Sequence, residues 1–222
     1  MRLFTLLKLE IRQSLRRYND FTAPLWFLIL ITCVFAISFQ QNPTLLQQAA
    51  PAILWTAVLL ALLLSINQLF SQDYASGTLE QMLLSPLPLT QIIWVKITAY
   101  WLKTCLPILA FIPVMAVLLH LPFAQLNLLI GSLLLGTPTL TLLSAFNAAL
   151  TLRLSQNALL LVLLTLPLCL PVLIFGLSLG VYAQWGLDTT PLFCFLIALL
   201  VLSAGLLPFI IAFSLRLGMN GE

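Results

Sequence analysis

The 222-residue sequence predicts an all-α integral membrane protein with six transmembrane helices. Hydrophobic residues make up 62% of it and charged residues only 7%, against about 25% charged in an ordinary soluble domain. That leaves too little polar surface to cover a globule, so a bilayer is the matching solvent. Six apolar stretches reach the roughly 20 residues that a spanning helix needs, at about 21–39, 49–70, 92–119, 125–151, 157–182 and 191–214. Cations fall only on alternate connections, the bias that orients spans in a membrane. Residues 1–222 therefore read as one transmembrane domain.

The chain opens with residues 2–18, where Arg2, Lys8, Arg12, Arg16 and Arg17 are spread among Leu3, Leu6, Leu7, Ile11 and Leu15 at helical spacing. This is the pattern of a basic amphipathic helix lying on the membrane surface, and it lacks the clustered charge of a cleavable signal peptide. Spans one and two are joined by 40–48. Residues 71–89, SQDYASGTLEQMLLSPLPL, then form the largest polar interruption and hold Asp73 and Glu80, two of only six acidic residues. Gly77 can supply a turn, with Thr78 as N-cap of a short amphipathic helix over 78–84 that Pro86 and Pro88 end. That describes a stub helix parallel to the membrane, presenting Asp73 and Glu80 to the cytosol; an ordinary solvated loop is the alternative.

Spans three to six carry Pro107, Pro113, Pro138, Pro167, Pro171 and Pro208. Each removes a backbone donor, which serves either kinked packing or pivoting. Gly176 and Gly180 form a GxxxG that lets helix backbones approach closely, within the chain or across a dimer. The connections 120–124, 152–156 and 183–190 are short. Counted by side, the five N-terminal cations, Lys96, Arg153 and Arg216 share one face, whereas the other face holds none of the nine Lys and Arg. Both termini and the 71–89 segment are thereby placed in the cytoplasm.

The chemistry that is missing narrows the function. Gly131 to Gly136 have P-loop spacing but no phosphate-binding Lys, and they lie inside an apolar span. One histidine and no intramembrane carboxylate exclude a proton relay, and no Ser/His/Asp set can be built around that histidine. The scattered cations do not form a nucleic-acid-binding stripe. Cys33, Cys105, Cys169 and Cys194 all lie in apolar stretches without C-x-x-C spacing, as buried thiols acting as small hydrophobes. Asp20 and Asp188 suit solvated or capping positions. Lys103 lies seven residues past Lys96, about 10 Å deeper along a helix; it either snorkels to the interface or contacts an anionic substrate. His120 ends span three at the outer surface, either hydrated or ligating haem.

The order Asp73, Gly77-Thr78-Leu79-Glu80, Pro86-Leu87-Pro88-Leu89, Lys96 and Trp101 resembles the CcmB family, the haem-exporter permeases of cytochrome c maturation. Pro24-Leu25-Trp26-Phe27, Ala50-Pro51-Ala52-Ile53-Leu54-Trp55 and Leu135-Gly136-Thr137-Pro138-Thr139-Leu140 extend the likeness. Ala148-Ala149-Leu150-Thr151 and the run from Leu166 to Phe175 complete it over about 200 residues.

The resemblance implies a non-catalytic ABC transporter subunit of ABC-2-type permease topology in a bacterial inner membrane. It implies two copies of this chain paired with two copies of a CcmA-like ATPase that binds ATP-Mg, beside CcmC-like and CcmD-like membrane subunits. It implies an indirect link to the haem chaperone CcmE, no cofactor held firmly by this chain, and haem as candidate substrate. Asp73, Gly77, Thr78, Leu79, Glu80, Pro86 and Pro88 become the ATPase-coupling set, with Gly77–Glu80 as the contact itself, while Lys103 and His120 stand outside the family pattern. Alternatives from the residues alone are an ABC-2-type permease for another amphipathic substrate, a self-contained channel or carrier, and a membrane scaffold.

Overall fold

The structure is a computed structural model that describes residues 19–66, 68–83, 87–152 and 158–219. The amphipathic helix expected over 2–18, together with Pro86 and Arg153, lies outside the described residues. Eight helices follow one another among the described residues: α1 (Asn19–Ser38), α2 (Pro43–Ile66), α3 (Gln68–Ala75), α4 (Thr78–Leu83), α5 (Leu89–Leu118), α6 (Phe123–Leu150), α7 (Ala158–Gln184) and α8 (Thr190–Met219). No strand occurs among them. In lipid only a helix satisfies every backbone donor and acceptor within one segment, so apolar stretches of this length have one outcome.

Five helical runs are long and apolar enough to cross a membrane: Pro43–Ser71, Leu89–Leu118, Phe123–Leu150, Val162–Ala183 and Thr190–Arg216. The apolar part of α1, Thr22–Ser38, is shorter. The described bundle thus consists of five span-length helices and one shorter one.

Element boundaries follow turn chemistry. The expected second span, 49–70, starts earlier, at Pro43. Gln47 and Gln48 interrupt the apolar pattern there without interrupting the helix. Asn42 accepts the first backbone bond through its carbonyl, from Leu46 N–H at 3.1 Å, and proline suits a first helical position because its missing N–H would have no partner there. Pro88 and Pro122 stand in extended conformation immediately before α5 and α6. Two connections close by the same device. At the end of α5, Leu121 N–H donates to Ala116 and His120 N–H to Val117; at the end of α7, Leu187 donates to Tyr182 and Gly186 to Ala183. Both are Schellman turns, which require a left-handed residue after the cap. Gly186 supplies φ +66° and His120 supplies φ +57°.

α6 is the hub, packed against α2, α3, α5, α7 and α8. A large apolar cluster joins α1, α2 and the parts of the other spans remote from α3 and α4, with Leu28, Leu54, Trp55, Ile108, Leu133 and Leu196 fully enclosed. A second cluster gathers at the opposite end, from Ile66, Phe70, Leu79, Ile93, Ala145 and Ile211. Polar side chains stitch helices together through α6. Trp55 Nε1 donates to Ser132 Oγ at 3.2 Å, Trp101 Nε1 to Thr137 Oγ1 at 3.1 Å, and Asn147 Nδ2 to Thr165 Oγ1 at 3.1 Å. Cys105 Sγ and Thr141 Oγ1 lie 3.6 Å apart. Such bonds contribute about 0.6 kcal/mol each on average in membranes, so they set register more than stability.

Cys105 and Cys169 are buried, as apolar placement predicts, but Cys194 is exposed on α8. Apolarity there does not mean burial within the chain, since α8 also turns Val201, Leu206 and Phe213 outward.

Candidate functional site

The polar segment after α2 is folded rather than open. α3 and α4 meet at Gly77, whose φ of +67° is left-handed and costs glycine nothing. Gly77 N–H donates to the Tyr74 carbonyl at 3.2 Å, and the Ser76 and Thr78 hydroxyls lie 2.7 Å apart. Thr78 is the first residue of α4. Leu79 is only 3% exposed and joins the apolar cluster of Phe70, Ile93 and Ile211. Glu80, in the first turn of α4, is exposed. The stub helix therefore has a buried apolar root and an acidic outer side, near the helix N-terminus where a carboxylate is favoured.

Asp73 departs from its expected position. It does not face outward beside Glu80 but turns to the bundle, where its Oδ2 forms an ion pair with Lys96 Nζ. Lys96 lies in α5, not in a connection, and its side chain is 7% exposed against 20% for Asp73. A buried cation requires a partner, and Asp73 supplies an ion pair. Counting charges by side could not show this, because the two residues are 23 positions apart and only the fold brings them together.

The remaining candidates lie elsewhere. Pro88, exposed, precedes α5. Lys103 is half-buried in the middle part of α5, and His120 is exposed at the opposite end of the bundle from Gly77. These two do not join the α3–α4 segment. Gly176 and Gly180 face α2: a Cβ on Gly176 would lie 2.3 Å from Trp55 Cζ2, and one on Gly180 would lie 3.2 Å from the Pro51 ring. Their surface is thus occupied within the chain. No group of three or more His, Cys, Asp and Glu able to hold a metal occurs among the described residues.

Sequence reasoning missed a second feature, the Trp55 node. The indole is fully buried and rests against two glycines, Gly136 of α6 and Gly176 of α7. A Cβ on Gly136 would lie 2.2 Å from Trp55 Cη2, so only the absence of side chains lets three helices converge on the ring. The signal was present in fragments, as a tryptophan, a GTP run and a GxxxG, but nothing in one sequence pairs residues 81 and 121 positions apart.

Comparison with known proteins places these observations in a family. The family model described as CcmB protein matches residues 1–218. Heme exporter protein B of Pseudomonas aeruginosa is 39% identical over 215 residues, covering 97% of this chain and 96% of the relative. Heme exporter protein B of Haemophilus influenzae is 37% identical over 215 residues, with 97% of each covered. Heme exporter protein B of Escherichia coli K12 is 38% identical over 220 residues, covering 99% of this chain and all of the relative.

Proposed function

The chain belongs to the CcmB family, and we propose that it is the non-catalytic membrane subunit of an ABC-type haem export system serving cytochrome c biogenesis. The observation that carries this reading is the full-length family match, over residues 1–218. Energy comes from a separate CcmA-like ATPase that binds ATP-Mg, because this sequence has no nucleotide-binding loop of its own. Two copies of the chain pair with two ATPase copies, beside CcmC-like and CcmD-like subunits, and act on the haem pathway that loads the chaperone CcmE. The protein lies in the bacterial inner membrane with both termini cytoplasmic. Haem, or the haem-loaded chaperone, is the cargo of that cycle.

Within this assembly α4 is the coupling helix. Its exposed Glu80 meets the ATPase, Gly77 sets the angle of the approach, and buried Leu79 joins the helix to the spans. Closure of the ATPase dimer displaces α4, and α2 and α5 carry the movement outward. Replacing Glu80→Lys inverts the charge at the contact, and Gly77→Pro removes a left-handed φ that proline cannot adopt. Each substitution should reduce both co-purification of the ATPase and production of c-type cytochromes. Normal cytochrome output from a fully inserted variant would refute the coupling role.

A further inference from the structure

The Asp73–Lys96 ion pair stands at the junction of the polar segment and the spans. Two kinds of contact among the described residues join α3 and α4 to the bundle. One is apolar: Phe70 and Leu79 enter the cluster containing Ile93 and Ile97 of α5. The other is the ion pair, which ties Asp73 of α3 directly to Lys96 of α5. Apolar contact is non-directional, so on its own it does not fix where α3 and α4 sit against the spans. A charge pair with one partner almost fully enclosed has a single favourable geometry. Because desolvation offsets most of its attraction, its contribution is to geometry more than to stability. An ionisable group turned into a membrane bundle is expected to carry function.

We infer that Asp73 and Lys96 are a positioning pair, the directional link through which displacement of the α3–α4 segment is passed to α5. The inference rests on the reading of α4 as the coupling helix and adds the path by which its movement enters the spans. Asp73 and Lys96 are turned to each other, so loss of the pair should uncouple the assembly without dissociating it.

The test uses the whole complex, co-expressed with its ATPase, carrying Asp73→Asn, Lys96→Met, or the exchanged pair Asp73→Lys/Lys96→Asp. Three quantities are measured: ATPase co-purification, ATP hydrolysis and c-type cytochrome formed. Both single variants should keep the ATPase bound and hydrolysing, while cytochrome falls about tenfold or more, within the usual range of a coupling energy. The ratio of ATP hydrolysed to cytochrome formed therefore rises, and the exchanged pair lowers it again. Full output from either single variant overturns the inference. So does loss of ATPase binding in the single variants, which would make the pair part of the docking surface. If a single variant fails to accumulate, the exchanged pair decides: recovery of accumulation with output supports the link, and recovery of accumulation alone overturns it. Absence of ATPase binding to the unmodified chain would instead refute the coupling-helix reading itself.

Discussion

Replacing Gly136 by alanine adds one methyl group at the most crowded point of the bundle. Its Cβ would lie 2.2 Å from Trp55 Cη2, 3.0 Å from Cζ3 and 3.2 Å from Cζ2. Carbon atoms pack at roughly 3.5–4.0 Å, so the ring must withdraw by more than about 1 Å. Its retreat is restricted, because a Cβ on Gly176 would lie only 2.3–2.7 Å from the same indole and Nε1 is tied to Ser132. Overpacking of this kind costs about 1–3 kcal/mol. At about 2–4 °C per kcal/mol for a chain of this size, the expected fall in Tm is about 2–12 °C. The assay is thermal melting of the detergent-purified assembly, with Gly205→Ala as control. Nothing lies within 4 Å of a Cβ at Gly205, and alanine is the better helix former by about 1 kcal/mol, so this variant should melt no lower than the parent. In a Trp55→Leu background the Gly136→Ala penalty should shrink, since contacting residues are non-additive. A Gly136→Ala protein that melts with the parent, or a penalty undiminished in the Trp55→Leu background, would refute the wedge.

Other outcomes follow from single features. His120→Gly should preserve the Schellman turn and cytochrome output, whereas His120→Val should cost about 1–2 kcal/mol from its left-handed φ; loss of output in a stable His120→Gly protein would show that the imidazole itself is needed. Asn147→Leu should lower stability by about 0.6 kcal/mol through its lost bond to Thr165, measured by the same melting assay. Asp188 accepts from the Thr190 hydroxyl at 2.7 Å and the Thr190 N–H at 3.0 Å, and these bonds hold its carboxyl below the usual carboxylate range. A lowered folded pKa stabilises above the unfolded value and is lost as pH falls through the folded one. Amide protection in the first turn of α8, taken relative to the intrinsic exchange rate at each pH, should therefore fall only on acidification, whereas in Asp188→Ala it is low throughout.

Helices were legible because hydrocarbon leaves the backbone no alternative, and a run of 20 apolar residues is a strong pattern. Boundaries were less so: Gln47 and Gln48 hid the first turns of α2, since an interfacial helix end tolerates polar side chains that an apolar window rejects. The turn at Gly77 was legible from the amino acid alone, as only a left-handed position needs it. Asp73 was not, because its environment is made by Lys96, a residue on another helix. The Gly176–Gly180 surface could not be assigned to packing or dimerisation until Trp55 and Pro51 were placed against it. For Asp73 and the two glycines, what failed to read was a pairing across sequence distance.

The hydrogen bonds that converge on α6 have a consequence for biogenesis. Synthesis proceeds from the N-terminus, so α2 and α5 enter the bilayer before the helix that accepts from Trp55 and Trp101 exists. Until Ser132 and Thr137 arrive, two indole N–H groups in the emerging chain lack their final acceptors. The first half of the protein thus lacks the acceptors that fix its two indoles. Insertion of α6 is the moment at which that half acquires a fixed shape, and a nascent chain halted before residue 123 would be one for quality control to remove.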